Sequence, residues 1–175
     1  FYENEHGGEK QIVSVSCARL MKLALQRLTS HKGNLTYQIS LEVTHHGPSI
    51  STPCMFIEIG SCEEQWNETD AAKVISKTIS EINSDFYDQE KYENAIGVGG
   101  THYCPNFNEI QLQDKYALGH IIPKYILDKI DRSTLMMAIE RSFHRPVLAL
   151  IDWKGMGSEK QRVLGILDEI GIPYL

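Results

Sequence analysis

The chain has 175 residues, of which 42% are hydrophobic and 23% are charged, a composition typical of one folded globular domain. Such a chain buries enough apolar surface for its own core, which excludes an intrinsically disordered or a disulfide-stapled protein. No run of residues approaches the roughly 20 apolar residues that a transmembrane helix needs. The formal net charge of -6 argues against broad electrostatic capture of nucleic acid.

The four cysteines form no Cys-x-x-Cys pair, so we expect a reduced protein of the cytoplasm. The chain begins at Phe1 rather than at methionine, and its first residues do not resemble a secretory signal peptide. We therefore expect residues 1–175 to form a single domain that lacks an N-terminal segment of the natural chain.

The first half of the chain predicts three strands and two helices. Residues 11–16 predict a short strand, residues 37–43 a strand with one apolar face, and residues 54–60 a central strand. Apolar side chains at helical spacing predict a first helix from Cys17 to near Gly33. A second helix should begin at Asn67 or Thr69. Its expected apolar stripe consists of Ala72, Ile75, Ile79 and Ile82.

The second half of the chain continues the alternation of strands and helices. Strands are predicted at 94–100, 116–122 and 147–151, the last of them buried on both faces. Ser133 is the expected cap of a helix whose apolar stripe is Met136, Ile139 and Phe143. A capping-box pattern at Ser158 and Gln161 predicts the last helix. The order predicts a single α/β domain with a mainly parallel or mixed sheet between helices.

Histidines follow two of the predicted strands at their carboxyl ends, where ligands bind in α/β folds. His45 and His46 come after residues 37–43, and His102 comes after residues 94–100. Glycine or proline shapes both loops, and glycine lets backbone N–H groups approach a ligand closely. The residues concerned are Gly47, Pro48, Gly99 and Gly100. These loops therefore predict a functional site.

Neutral imidazoles beside a carboxylate suit zinc, which in catalytic sites has three protein ligands and an open position. Glu42 shares a strand face with His46, so it can be a ligand or can orient one. The predicted metal ligands are His45, His46, His102 and His120, and the predicted catalytic residues are His46, His102 and Glu42. The spacing matches no standard zinc motif, so metal-free general-base catalysis by one histidine stays open.

Other residues carry weaker signals. Tyr103 and Phe107 can stack on a nucleic-acid base, although aromatic rings more often fill a core. Cys104 follows His102 closely, yet without a separate base a packing role is favoured over a nucleophilic one. The candidate phosphate contacts are Lys124, Lys129, Arg132 and Lys154.

Six sequence motifs, each occurring once, are spread over most of the chain. They are E-V-T-H-H-G-P-S (42–49), F-I-E-I-G-S (56–61), E-E-Q-W (63–66), G-V-G-G-T-H-Y (97–103), G-H-I-I-P-K-Y (119–125) and D-W-K-G-M (152–156). With these motifs the chain resembles the archaeal and plant type of D-aminoacyl-tRNA deacylase. The resemblance covers roughly residues 5–172.

The resemblance implies an enzyme that hydrolyses the ester between a D-amino acid and the tRNA 3′ end. It also implies zinc dependence, a monomer, and an α/β fold similar to the phosphorylase and peptidyl-tRNA hydrolase folds. D-aminoacyl-tRNA is then the expected partner, with no membrane and no DNA involved. The residues expected to bind this substrate are Gly47, Pro48, Gly99, Gly100, Tyr103, Lys124 and Lys154.

Two other classes of function stay open at this point. The first is a peptidyl-tRNA hydrolase or a metallopeptidase-like hydrolase, which would share the activated water but cleave a different bond. The second is a non-catalytic metal-binding or RNA-binding module, in which the histidines bind without turnover. The negative net charge makes the RNA-binding version the weaker of the two.

Overall fold

A computed structural model describes residue 9 and residues 11–45, 47–85, 92–113 and 115–175. Helices and strands alternate in the second half, as the sequence predicts. The elements are α1 (Ala18–His31), α2 (Glu63–Trp66), α3 (Thr69–Asp85), β1 (Glu93–Gly100), α4 (Pro105–Gln113), β2 (Tyr116–Pro123), α5 (Arg132–Glu140), β3 (Leu148–Ile151) and α6 (Lys160–Ile170). Short 3-10 helices occupy Lys124–Lys129 and Gly157–Glu159. No helix of the described chain is long and apolar enough to cross a membrane.

The described strands form one parallel sheet in the order β2-β1-β3. β1 lies in the centre and is buried from Asn94 to Gly100. All three strands therefore end at the same edge of the sheet, and the loops that follow β1, β2 and β3 meet there. This arrangement confirms the predicted α/β fold with a parallel sheet between helices.

Two hydrophobic cores cover the two faces of the sheet, because successive side chains of a strand point to opposite faces. In β3, Ala149 and Ile151 join one core, while Leu148 and Leu150 join the other. The first core also contains residues of α5 and α6, and the second contains residues of α1 and α4. A smaller cluster of Leu23, Ala24 and Ile82 packs α1 against α3.

Three predicted strands are wrong, because none of them joins the β-sheet of the described residues. They are those at 11–16, 37–43 and 54–60. The alternation of apolar and polar residues in 37–43 corresponds to burial of one side of an extended segment. Leu41 and Val43 are buried in the core, while Glu42 between them is exposed. Residues 54–60 are not central either, because the Phe56 ring is 53% exposed. Isolated contacts hold these segments, such as the bond from Cys54 N–H to the Val15 carbonyl at 3.0 Å.

Three helix details also differ from the prediction. In α3 the predicted stripe is confirmed at Ile82, which is buried, but Ala72 and Ile79 are exposed, and the other buried positions are Ala71 and Thr78. Asp131 caps α5 instead of Ser133, because its carboxylate accepts the Thr134 N–H at 2.8 Å. Phe143 lies beyond the end of this helix and is 50% exposed.

The last helix begins later than its sequence pattern predicts. A 3-10 turn over Gly157–Glu159 precedes α6, which begins at Lys160 without a side-chain cap. The predicted capping box of Ser158 and Gln161 is therefore wrong. The sequence patterns also missed α2 and α4, which are short and carry weak apolar periodicity.

Candidate active site

Glu42, His45 and His102 come together where the 35–45 segment crosses the carboxyl end of β1. The Glu42 carboxylate lies 3.5 Å from His45 Nε2 and 3.6 Å from His102 Nε2, each through a different oxygen. The two imidazole rings meet edge to face with centroids 4.8 Å apart. One donor atom from each of the three residues lies within 4.8 Å of the other two.

The backbone fixes this cluster from both sides. The Val43 N–H donates to the His102 carbonyl at 3.0 Å, which ties the 35–45 segment to the loop after β1. The Thr44 N–H donates to the Ile121 carbonyl of β2 at 2.9 Å. Because Leu41 and Val43 are buried on one side, Glu42 is directed to the other, toward the histidines.

A hydrogen bond sets the tautomer of His45. Its Nδ1 lies 2.6 Å from the Val43 carbonyl oxygen, which can only accept, so Nδ1 carries the proton. In the neutral ring, Nε2 then has a lone pair that faces a carboxylate oxygen of Glu42. Two acceptors that face one another are stabilised by a cation between them, either a metal ion or a proton.

The cluster fits a zinc ion in the chemistry and the spacing of its donors. Two histidines and one carboxylate form a known ligand set of catalytic zinc, and a backbone carbonyl behind Nδ1 is a common outer partner. Atoms bound to a tetrahedral zinc ion at about 2.0–2.1 Å lie roughly 3.4 Å from one another. The distances of 3.5 and 3.6 Å from Glu42 to the two rings are close to this value.

A cavity of about 1130 Å³ opens beside the cluster. Residues 35–45 and 54–61 line it together with the inner face of α1. Glu42, His45 and His102 all contribute to its wall. A cavity of this size accommodates a small-molecule ligand or the end of a larger one.

His120 is engaged by neighbouring groups in the fold, and its predicted role as a metal ligand stays a prediction. It is buried, and its two ring nitrogens lie 3.2 Å from Thr44 Oγ1 and 3.1 Å from the Arg141 carbonyl oxygen. Burial lowers the pKa of His120. With both nitrogens engaged, the ring supports Thr44, whose hydroxyl also accepts the Ile121 N–H at 3.1 Å. His120 therefore lies outside the described donor cluster of Glu42, His45 and His102.

His46, predicted as catalytic and as a ligand, lies outside the described residues. The next residues, Gly47 and Pro48, are described, and the Pro48 carbonyl accepts a hydrogen bond from the Ser14 hydroxyl. The Ile50 N–H donates to the same hydroxyl oxygen at 3.3 Å. Ser14 thus fixes the turn that follows the histidines.

Packing explains the glycines at the end of β1. Gly99 has a φ of +97°, and an added Cβ would meet the Asp152 carbonyl oxygen at 3.0 Å. A Cβ at Gly100 would press against Ile121 and Phe107 at 3.2 Å. Both glycines are buried: Gly99 lets the loop after β3 approach the end of β1, and Gly100 packs against β2 and α4. Their predicted contact with substrate stays a prediction.

Cys104 is a buried thiol behind the cluster. Burial, followed by the charges of Glu42 and Asp152, raises the pKa of Cys104 to about 12. Its Sγ lies 3.2 Å from the Thr101 carbonyl oxygen. A thiol held in its protonated form is a poor nucleophile, which agrees with the packing role inferred from sequence.

The other predicted residues divide into core and surface. Phe107 is buried in the core, so it is unavailable for stacking on a base. Tyr103 is 48% exposed, and its ring meets the His102 ring edge to face with centroids 4.8 Å apart. Lys124 and Lys154 are exposed directly after β2 and β3.

The sequence predicted Glu42, His45, His46 and His102 for the site, and Glu42, His45 and His102 lie together among the described residues. The catalytic role of His46 was inferred from a face shared with Glu42 on a regular strand, and it stays a prediction. The segment is not a regular strand, and His45 reaches Glu42. Thr44 was missed, since a lone threonine carries no signal before its partner His120 is placed beside it.

Comparisons with known proteins agree over the whole chain. A family model described as D-aminoacyl-tRNA deacylase matches residues 1–175. A D-aminoacyl-tRNA deacylase of Thermococcus kodakarensis is 35% identical over 172 residues, which cover 97% of this chain and 62% of the relative. One of Pyrococcus abyssi is 36% identical over 176 residues, with 99% and 63% covered.

A solved structure shares the fold. The crystal structure of a conserved protein of unknown function matches with a TM-score of 0.88 and 30% identity, covering 100% of this chain and 62% of that one. The chain thus spans a little over three fifths of the length of these relatives.

Proposed function

The chain belongs to the D-aminoacyl-tRNA deacylase family, and from this membership we propose that it hydrolyses the ester between a D-amino acid and the 3′ end of tRNA. The observation that carries the proposal is the convergence of Glu42, His45 and His102 beside a large cavity. An aminoacyl ester is already activated, so its hydrolysis needs chiefly a positioned water and a base.

The residues have complementary roles in this reaction. The His102 side chain is 43% exposed and faces the cavity, so its Nε2 can take the proton of a water molecule. Glu42, whose carboxylate lies 3.6 Å from the same Nε2, stabilises the positive charge of the imidazolium that forms. His45 Nε2 faces the other carboxylate oxygen of Glu42 at 3.5 Å.

We further propose that Glu42, His45 and His102 hold a zinc ion, in which case His102 Nε2 and Glu42 would be metal ligands and the metal would activate the water in place of the histidine base. Zinc in such a site activates water near neutral pH as a Lewis acid. The facing acceptors on His45 and Glu42 support the proposal, because a cation between them removes their repulsion. A proton on His45 would do the same, and chelation of metal separates the two cases.

The substrate's tRNA part should lie along the sheet edge next to the cluster. Lys124 and Lys154 follow β2 and β3, the neighbours of the strand that leads to His102. Their ammonium groups are exposed and suited to the phosphates of an acceptor end. Because tRNA is used in translation, we propose that the protein acts in the cytoplasm.

Hydrolysis of D-Tyr-tRNA and L-Tyr-tRNA tests the proposal. We expect release of D-tyrosine that depends on zinc, is at least about a hundredfold faster than release of L-tyrosine, and is abolished by chelation. Glu42→Gln, His45→Ala and His102→Ala should each lower the rate by about a hundredfold or more, because they act as one unit. His144→Ala is the matched control, since His144 is exposed and outside the cluster.

Three results would overturn parts of this proposal. Equal hydrolysis of the D and L substrates would remove the stereochemical role. Faster release of N-acetyl-aminoacyl groups than of D-tyrosine would indicate a peptidyl-tRNA hydrolase. Full activity in chelator, with the variants still inactive, would leave a metal-free base mechanism at the same three residues.

A further inference from the structure

An exposed aromatic ring follows each strand of the sheet at its carboxyl end. Tyr103 comes after β1 and is 48% exposed, Tyr125 comes after β2 and is 54% exposed, and Trp153 comes after β3 and is 46% exposed. Each ring leaves about half of its surface in solvent, so three of them at one edge form a surface suited to a ligand.

Contacts between the loops show that these rings belong to one surface. The Asp152 N–H donates to the Val98 carbonyl of β1 at 2.8 Å, which places Trp153 next to the end of the central strand. On the other side, the 3-10 helix Lys124–Lys129, which carries Tyr125, packs against β1. The loop that carries His102 and Tyr103 therefore lies between Tyr125 and Trp153.

The surface around the outer rings is basic in an acidic protein. Residues 124–132 and 152–162 contain six lysines and arginines against four aspartates and glutamates, whereas the whole chain has a net charge of -6. Of the four acids, Glu159 pairs with Arg162 at 2.8 Å, Asp131 caps α5, and Asp152 is 9% exposed. The Lys160 ammonium group lies 4.5 Å from the centroid of the Trp153 ring.

We infer that Tyr125 and Trp153 stack on the unpaired nucleotides at the 3′ end of tRNA, on either side of the catalytic cluster. This inference rests on the proposed function, because that function supplies the substrate. Exposed rings interleaved with lysines are the pattern of proteins that bind single-stranded nucleic acid. A duplex cannot offer its base faces to such rings, so the ligand is the single-stranded end that carries the ester.

The dimensions agree with a few nucleotides. Neighbouring strands lie about 4.8 Å apart, so β2 and β3 are about 10 Å apart across β1. Stacked nucleotides advance by about 3.4 Å each, which gives room for roughly three of them along this edge. Tyr125 and Trp153 then hold the strand while the terminal ester reaches His102.

Fluorescence of the chain's own tryptophans provides a direct test. The sequence has two tryptophans, Trp66 and Trp153, so Trp66→Phe leaves Trp153 as the single reporter. We expect saturable quenching of Trp153 by a short RNA that ends in C-C-A. The same RNA annealed into a blunt duplex should quench it far less. Equal quenching by duplex and single strand would overturn the stacking inference.

Affinity for the dye-labelled RNA, measured by anisotropy, supplies the second readout. Tyr125→Ala and Trp153→Ala should each weaken binding about tenfold, whereas Tyr125→Phe and Trp153→Phe should stay within about threefold of the parent, because stacking needs only a ring. Phe143→Ala, which removes an equally exposed ring from the loop before β3, is the matched control. Alanine variants that bind as tightly as Phe143→Ala would overturn the inference.

Failure of this inference and failure of the proposed function give different results. D-specific hydrolysis with an unchanged KM in both alanine variants would reject stacking and keep the function. Quenching and loss of affinity as expected, without any hydrolysis of D-Tyr-tRNA, would keep the RNA surface and reject the deacylase.

Discussion

Replacement of Lys22 with methionine tests how α1 anchors α4 beneath the sheet. Lys22 is fully buried, and its ammonium group donates to the Gln111 carbonyl at 2.5 Å and to the Tyr116 carbonyl at 3.0 Å. It also lies 3.5 Å from the Ile110 carbonyl oxygen. Ile110 and Gln111 belong to the last turn of α4, whose carbonyls have no helical donor. A cation there also suits the helix dipole.

The expected loss follows from these contacts. Methionine has a similar length but leaves two well-bonded carbonyls without a donor, at about 1–3 kcal/mol each. Relief of the buried charge's desolvation offsets part of this loss. We therefore expect Lys22→Met to lower the free energy of unfolding by about 3 kcal/mol. For a chain of this size, the melting temperature should fall by about 6–12 °C.

Urea denaturation followed by circular dichroism measures the effect. Lys77→Met is the matched control, because Lys77 lies on the surface of α3 with a side chain that is 60% exposed. Its loss should cost at most about 0.5 kcal/mol. If Lys22→Met costs less than about 1 kcal/mol, or no more than the control, the buried ammonium group does not anchor α4.

Three further predictions concern the surroundings of the site. Because burial lowers the pKa of His120, the imidazole binds more protons in the unfolded chain than in the folded chain below about pH 6.5. The free energy of unfolding should therefore fall as the pH drops below that value, by at most about 1.4 kcal/mol per pH unit from this residue. Urea denaturation at pH 7 and pH 5 should show a smaller difference in the free energy of unfolding for His120→Gln than for the wild type. Equal differences would refute the contribution of His120 to this pH dependence. With its pKa raised to about 12, Cys104 should react with iodoacetamide far more slowly than the exposed Cys62, and Cys104→Ala should retain hydrolysis. Peptide mass spectrometry checks the first point, and loss of activity in Cys104→Ala would make the thiol catalytic after all. Ser14→Ala should lower the ratio of D to L hydrolysis severalfold, because it releases the Pro48 carbonyl and the turn beside the histidines; an unchanged ratio would remove that turn from stereochemical selection.

The sequence predicted the sheet well because its strands are locally unambiguous. Residues 94–100, 116–122 and 147–151 are apolar runs bounded by turn residues, and burial on both faces leaves them few other structures. The segment 37–43 has an equally clear pattern and forms no regular strand. The alternating pattern predicts which side chains are buried. It does not predict whether a neighbouring strand pairs with the segment.

The positions of the predicted site residues could be inferred only in part from the sequence. His102 follows a real strand, so its place at the sheet edge could be inferred. The contact between His45 and Glu42 depends on local backbone angles in a segment that is not a regular strand, and these are not written in the alternating pattern. The role of His120 depends on Thr44 and Arg141, whose positions only the tertiary fold brings next to it.

Zinc affinity, measured by competition with a chromogenic chelator, tests the shared role of Glu42, His45 and His102 most directly. We predict one zinc ion per chain and a loss of at least about tenfold in affinity for each of Glu42→Gln, His45→Ala and His102→Ala. His144→Ala should bind zinc as the wild type does. Wild-type affinity in His45→Ala or His102→Ala would contradict a metal site at this cluster.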